Sequence, residues 1–240
     1  MPPFNFNSLN DEEKFALFYG IMLGDGCLSY YKTKEEVNRF TIAITGGTDD
    51  KNLFEKIIIP TLAMLGRKSS SIKNKKDCNG IELNFPNKII FDKVKFYGFP
   101  VGKKGPNINI PKHFYDKKLV KYVVAGFMAT DGSLVLTKNP NKYYPRIEAN
   151  GISKPLIEQV HAFLISIGMN GAFYLAKRKN PNSSYNVQQQ YRFQFNGMKN
   201  LLLFHDLIGF ANPKYEEKFI NFLNYEEEYK KSIFNIPTQK

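Results

Sequence analysis

The 240-residue chain has no tryptophan, only two cysteines and only three histidines, and these absences exclude several kinds of site. Cys27 and Cys78 do not have the spacing of metal ligands, which predicts free thiols in a reducing, intracellular compartment. His113, His161 and His205 are isolated from one another and from the cysteines, so each is expected to be structural.

Long apolar runs are also missing. No stretch is long enough to span a membrane, and residues 1–10 lack the basic region and apolar core of a secretory signal. The glycine-rich segments do not form a P-loop, so nucleoside triphosphates are not expected as substrates. Abundant Lys, Asn, Ile, Phe and Tyr are typical of an AT-rich gene, which suits a chain encoded in a mitochondrion or chloroplast.

Positive charge is in clear excess. Lysine and arginine total 34 against 22 acidic residues, which gives a formal net charge of +12 and a pI of about 9.5. This balance indicates a polyanionic partner, chiefly nucleic acid, although a charge that only maintains solubility is the alternative. With 42% hydrophobic residues the chain can bury a core, as one large domain or two small ones.

Two nine-residue segments, residues 18–26 and 124–132, share one pattern. Each ends an apolar run, with Gly at the third position, a small residue at the seventh, Asp at the eighth and Gly at the ninth. A predicted strand follows each of them. Because the segments lie 106 residues apart, they indicate an internal duplication that places two equivalent carboxylates, Asp25 and Asp131.

Small residues in the two segments predict a close helix contact. Gly20 and Gly24 are four residues apart, as are Gly126 and Thr130, so each pair lies on one helix face. Small residues at this spacing let two helix backbones approach closely. Glycine costs about 1 kcal/mol against alanine within a helix, so its repeated use there needs a packing reason.

If these helices pack together, Asp25 and Asp131 meet at their C-terminal ends. Two neighbouring carboxylates repel each other strongly, and the negative ends of both helix dipoles add to the repulsion. The pattern therefore predicts a cation between the acids. The alternative is that Gly26 and Gly132 are ordinary helix stops and that the acids are solvated.

With these two motifs the chain resembles the LAGLIDADG homing endonucleases, in the single-chain form with two motifs. The resemblance covers nearly the whole chain, although Leu23 and Ala129 stand where the family name has Asp. It implies a site-specific double-stranded DNA endonuclease of a mobile intron or intein. Such an enzyme hydrolyses one phosphodiester on each strand of a long asymmetric site, here as a monomer.

The resemblance also implies a metal site. Asp25 and Asp131 would hold Mg²⁺, with Mn²⁺ as a substitute, because hard cations prefer oxygen ligands and assist phosphodiester hydrolysis. In the family the backbone carbonyl of the seventh motif residue helps to bind the metal, which implicates Gly24 and Thr130.

Further catalytic residues follow from the resemblance alone. The family places a lysine after the last helix of each half, which corresponds to Lys103 or Lys104 and to Lys214. A polar residue late in the second strand of each half orients the attacking water. Asn150 fits that role in the second half, whereas the first half offers residues 46–47, both glycine.

The predicted fold class is α+β, with two pseudo-twofold halves that each read α-β-β-α-β-β-α. Two four-stranded antiparallel sheets would then form a DNA-binding saddle. The predicted organisation is a first half at residues 10–100, a linker at 101–113, a second half at 114–212 and a C-terminal helix and tail at 213–240. Asp116 is expected to cap the second motif helix.

Alternation along the strands predicts which face meets DNA, because successive side chains point to opposite faces. Arginine and glutamine can form paired hydrogen bonds with base edges, and lysines can neutralise phosphates. The predicted DNA-contacting residues are Ser29, Tyr31, Arg39, Thr41, Ser69, Ser71, Lys73, Lys75, Ser133, Val135, Thr137, Arg146, Glu148, Tyr174, Arg178, Gln190, Arg192 and Gln194.

Two other functions suit the same fold. An RNA-binding maturase would use the basic face on intron RNA, and a non-catalytic DNA-binding protein would not cut. Loss of either acid would favour the maturase, and both Asp25 and Asp131 are present.

Overall fold

The computed structural model describes residues 4–34, 36–67, 71–75, 79–140, 142–177 and 189–234, with side chains up to residue 227. Ser69 and Arg178, two of the predicted DNA contacts, lie outside the described residues.

The first half begins with a capped motif helix. Asn10 accepts a hydrogen bond from the Glu13 amide, and the Glu13 side chain accepts one from the Asn10 amide in return, so the helix starts where the sequence predicts. The elements are α1 (Asp11–Asp25), β1 (Gly26–Lys32), β2 (Asn38–Gly47), α2 (Lys51–Leu53), a π-helical turn (Phe54–Ile58), α3 (Ile59–Met64), β3 (Lys73–Asn74), β4 (Gly80–Pro86) and α4 (Lys88–Phe96).

The second half repeats this order with an added helix at each end. Its elements are α5 (Lys112–Asp116), α6 (Val120–Thr130), β5 (Gly132–Asn139), β6 (Lys142–Gly151), α7 (Lys154–Ser166), β7 (Ala172–Lys177), β8 (Gln189–Asn196), α8 (Met198–Leu207) and α9 (Pro213–Phe234). The prediction that Asp116 caps the motif helix is wrong, because Asp116 ends α5. Lys118 has a positive φ of 57°, and this turn lets α6 begin only after Leu119.

Each half contains one four-stranded antiparallel sheet, in the orders β1-β2-β4-β3 and β5-β6-β8-β7. In β2, the fully buried Ile42 and Ile44 alternate with the half-buried Thr41 and Ala43, which gives one core face and one outer face. The α+β prediction and the repeated order of elements are therefore confirmed. No helix within these described residues is long and apolar enough to cross a membrane.

The two motif helices pack directly against each other at their glycines. A β-carbon on Gly20 would stand 2.0 Å from the Val123 carbonyl oxygen, and one on Gly126 would stand 2.0 Å from the Leu17 carbonyl oxygen. Val123 is 106 residues after Leu17, the same interval as between the glycines. The contact is thus reciprocal, and it relates the halves by a pseudo-twofold axis between α1 and α6.

The chain between the halves returns to the first motif. The Gly102 amide donates a 2.7 Å hydrogen bond to the Leu28 carbonyl, and Val101 forms a parallel bridge with the same residue. This segment therefore runs beside β1, and it brings the following lysines to the C-terminal end of α1.

Candidate active site

The two motif acids lie together at the ends of the packed helices. Asp25 is the last residue of α1, and Asp131 directly follows α6. The carboxyl carbon of Asp131 is 3.5 Å from the point where a β-carbon on Gly24 would stand, one residue from Asp25. The duplication thus places both carboxylates in one centre.

This proximity disfavours two negative charges. Burial and, to a smaller extent, the neighbouring Asp131 raise the pKa of Asp25 to about 7, although the charge of Lys104 acts in the opposite direction. Asp131 is exposed to solvent, yet the surrounding protein atoms still raise its pKa, and Lys104 again acts in the opposite direction. Ionisation of both acids is therefore unfavourable unless a cation stabilises the two negative charges.

A lysine ammonium lies at the end of the first motif. Lys104 donates a 3.0 Å hydrogen bond to the Leu23 carbonyl and another to the Gly24 carbonyl, whereas Lys103 is exposed. Burial lowers the pKa of Lys104, and the two acids oppose this shift. Of the two predicted lysines, the structure brings Lys104 to the acids. A cavity of about 160 Å³ opens between Lys104 and Asp131.

The second motif has a different neighbour. The amide of Asn212, which is fully buried, donates 2.8 Å hydrogen bonds to the Ala129 carbonyl and to Asp50 Oδ1. Lys214 lies 2.6 Å from Asp50 Oδ1 and 3.0 Å from Asp49 Oδ2. Burial disfavours the charge on Lys214, but its hydrogen bonds to Asp50 and Asp49 raise its pKa overall.

The two halves of the centre are therefore unequal. Leu23 and Ala129 occupy the same motif position, so Lys104 and Asn212 hold equivalent places against the helix ends. The first motif meets an ammonium and the second meets a neutral amide. Lys214, the predicted second-half lysine, pairs with Asp49 and Asp50, which follow β2 of the first half, and its charge also lowers the pKa of Asp25.

Strand register locates the predicted water-orienting residues. Gly26 pairs with Ile44, and Gly132 pairs with Ala149, so the next residues, Thr45 and Asn150, are equivalent. The expectation that the first half has only glycine at this place is wrong, because the structure puts the hydroxyl of Thr45 there. Only the pairing of β2 with β1 reveals this equivalence.

The donor atoms suit a hard cation. The two carboxylates and the carbonyls of Gly24 and Thr130 are all oxygen, and the Gly24 carbonyl, which already accepts a hydrogen bond from Lys104, has a second lone pair for an ion. Among the residues that the structure describes, no three His, Cys, Asp or Glu side chains cluster as a metal site. An ion here would keep several waters, as Mg²⁺ does.

The predicted DNA contacts that lie in strands fall on one face of each sheet, whereas Ser71 and Lys75 lie just outside β3. Ser29 pairs with Thr41, and Ser133 pairs with Glu148, and residues directly opposite each other share a face. Glu148 is nearly buried, unlike the others. The half-buried or exposed members are Ser29, Tyr31, Arg39, Thr41, Ser71, Lys73, Lys75, Ser133, Val135, Thr137, Arg146, Tyr174, Gln190, Arg192 and Gln194.

The sequence analysis missed several residues of this face and of the centre. Glu82 and Asn84 pair with Thr45 and Ala43, so they share the outer face of the first sheet. Period-two alternation in β4 could have identified both. Asn212 had no local signal, because its partner Asp50 is 162 residues away.

No family model matches the chain. A probable translation initiation factor IF-2 of Methanocaldococcus jannaschii is 30% identical over 218 residues. This match covers 89% of the chain but 16% of the relative, so the chain spans about a sixth of that protein's length.

Solved structures match over most of both chains. I-DmoI in complex with DNA and calcium is 17% identical, with a TM-score of 0.55 over 83% of this chain and 91% of the other. The LAGLIDADG meganuclease I-AabMI, bound to uncleaved DNA, is 14% identical, with a TM-score of 0.56 over 93% of both chains. I-SmaMI is 15% identical, with a TM-score of 0.54 over 92% and 93%. The chain therefore has the fold of the LAGLIDADG homing endonucleases, with both motifs in one polypeptide.

Proposed function

We propose that this chain is a divalent-metal-dependent endonuclease that cuts both strands of a specific double-stranded DNA site. The observation that carries the proposal is the meeting of Asp25 and Asp131 at the ends of two packed helices, where the pKa of each acid is raised. The similar solved structures are described as DNA complexes, with calcium, manganese or magnesium in several of them.

Asp25, Asp131 and the carbonyls of Gly24 and Thr130 would hold the metal, which we propose to be Mg²⁺ with Mn²⁺ as a substitute. When bound, a divalent ion supplies an activated water and stabilises the departing oxygen in phosphodiester hydrolysis. The same four groups leave room for water ligands, which Mg²⁺ usually retains.

The chain's own side chains would complete the chemistry. The ammonium of Lys104 lies beside both acids, where it can stabilise negative charge that develops on the scissile phosphate. Thr45 and Asn150 can orient the attacking water at equivalent places in the two halves. Because Lys104 and Asn212 differ in charge, we propose that the two strands are cut at unequal rates.

The archaeal relative supports a mobile-element origin. It is described as a translation initiation factor, and the matched segment is about a sixth of its length. This arrangement suits a nuclease module of an intein or intron inserted in an unrelated host. The two halves differ in their outward side chains, so we propose that one chain recognises a long asymmetric site as a monomer.

A cleavage selection on a randomised duplex library with Mg²⁺ tests the proposal. The wild-type chain should select and cut one site. Asp25→Asn and Asp131→Asn should abolish double-strand cleavage of that site and leave its affinity within about threefold. Asp116→Asn is the matched control, since this exposed acid ends α5 outside the centre.

Either of two results would contradict the proposal. A wild-type chain that binds duplex DNA but cuts none would exclude the nuclease and favour a DNA-binding protein or, if intron RNA binds more tightly, a maturase. Wild-type cleavage rates in Asp25→Asn or Asp131→Asn would remove the acids from the mechanism.

A further inference from the structure

A nearly buried carboxylate lies under the outer face of the second sheet. Glu148 is 9% exposed, and its Oε2 atom lies 2.5 Å from both Arg146 Nε and Arg192 Nη2. Gln194 donates a further 3.0 Å hydrogen bond to the same oxygen. One carboxylate oxygen thus accepts hydrogen bonds from Arg192 and Gln194 on β8 and forms an ion pair with Arg146 on β6.

We propose that Glu148 is a specificity-determining positioning residue, which fixes Arg146 and Arg192 for hydrogen bonding to guanine in the half-site that meets the second sheet. This inference rests on the proposed DNA recognition. Arginine pairs with the O6 and N7 atoms of guanine in the major groove.

Arg146 and Arg192 can still form hydrogen bonds with DNA bases while they contact Glu148. Each guanidinium carries five N–H donors, and although the Nε atoms of both arginines are buried, one Glu148 oxygen can accept only a few of the remaining Nη donors. The side chains of Arg146 and Arg192 remain 27% and 29% exposed. Arg146 Nε and Arg192 Nη2 each lie 2.5 Å from Glu148 Oε2, so these two nitrogens are separated by at most twice that distance. The two guanidinium groups can therefore contact the same base pair or neighbouring ones.

Positioning matters because a long side chain loses freedom when it binds. Glu148 fixes both arginines on folding, so less ordering remains for DNA binding, and the planar groups are held for paired hydrogen bonds. The carboxylate also places a negative charge near a polyanion, which weakens binding to every sequence. Glu148 should therefore reduce general affinity while it increases discrimination.

The first sheet lacks this arrangement. By register, Ala43 corresponds to Glu148 and Glu82 corresponds to Arg192, while Asn84 corresponds to Gln194. Discrimination for guanine that depends on arginines fixed by an acid should thus be confined to one half-site.

The experiment measures affinity of the full chain, without Mg²⁺, for the selected site, its single-base variants and a random duplex. Glu148→Gln should bind the random duplex more tightly and lose about tenfold of its preference for guanine at one or two positions. Asp116→Asn, which removes one exposed acid outside the two sheets, should keep every preference. Arg146→Lys and Arg192→Lys should lose the same preference without a change in salt dependence, because the charge remains.

The possible results distinguish a failure of the Glu148 positioning role alone from a failure of the proposed function as well. If the wild type discriminates and Glu148→Gln discriminates equally well, the positioning role is wrong. A uniform loss of affinity in Glu148→Gln, with a lower unfolding temperature, would show a purely structural role and overturn the inference too. A wild type without any sequence preference would overturn both this inference and the proposed function.

Discussion

The hydroxyl of Thr130 lies 2.0 Å from the point where a β-carbon on Gly24 would stand. The missing side chain in one motif thus makes room for a larger one in the other. The Thr130 hydroxyl also donates a 3.0 Å hydrogen bond to the Phe127 carbonyl, which holds it against its own helix. The seventh motif positions are therefore complementary in size.

Gly24→Ala should destabilise the fold, because the new methyl group collides with Thr130. Overpacking of this kind costs about 1–3 kcal/mol. Adding Thr130→Ala should recover part of that loss, since the colliding hydroxyl is removed. Urea unfolding of both single variants and the double variant measures the coupling. Strictly additive effects would contradict the size complementarity.

The free energy of unfolding should decrease as the pH rises, because Asp25 loses its proton. Its pKa is raised from an ordinary 3.8 to about 7 in the folded chain, so folding favours the protonated acid. That stabilisation is fully present below about pH 4 and is lost as pH rises through about 7. Metal-free Asp25→Asn should lack this loss and become relatively more stable across the window. Urea unfolding at a series of pH values measures the loss of unfolding free energy. Parallel pH profiles for the wild type and Asp25→Asn would contradict the role of Asp25.

Asn212→Ala should weaken the connection between the halves. The substitution leaves the Ala129 carbonyl and one oxygen of Asp50 without the amide that they share. Loss of a buried hydrogen-bonding group costs about 1–3 kcal/mol. Asn109→Ala is the control, because that side chain is exposed and makes a single long hydrogen bond. Equal denaturation midpoints for the two variants would argue against this role.

Lys104→Met should slow cleavage by about 100-fold, the usual cost of removing a group that stabilises transition-state charge. DNA affinity should change little, since one cation among many is lost. Lys103→Met is the matched control, because the neighbouring lysine is exposed and makes no contact with the acids in the part of the chain described. Single-turnover rates would distinguish the pair, and equal slowing would assign both lysines to phosphate binding.

The DNA complex should contain one chain per duplex, because both acids already come from one polypeptide. Light scattering of the complex at the selected site measures its mass. Two chains on one duplex would indicate that the paired acids described here are not the functional pair.

Local sequence patterns predicted the helices and the acids well. The capping residues Asn10 and Glu13 mark the start of α1, and the repeated glycines identify the helix contact without any knowledge of the fold. Local patterns did not identify residues whose role depends on a contact distant in sequence or on the pairing register of two strands. The sequence alone does not identify Thr45 as the equivalent of Asn150, because the equivalence depends on the register in which β2 pairs with β1.

Electrostatic context was the other missing information. Alternation correctly put Glu148 on the outer face of β6, but it could not show that two arginines would bury its carboxylate. Likewise, Lys214 was recognised as a basic residue after the last helix of its half. Its pairing with Asp49 and Asp50 depends on the contact between halves, which no local pattern encodes.

The chain between the two halves follows a path that restricts where extra residues can be inserted. Surface loops usually tolerate insertions at little cost. Here the Gly102 amide is bonded to Leu28, and two residues later Lys104 reaches the Leu23 carbonyl. One extra residue between these points would shift the ammonium by about 3.4 Å along an extended chain. Insertions should therefore be accepted after Gly105 and rejected before it, although both sites lie in the same connection.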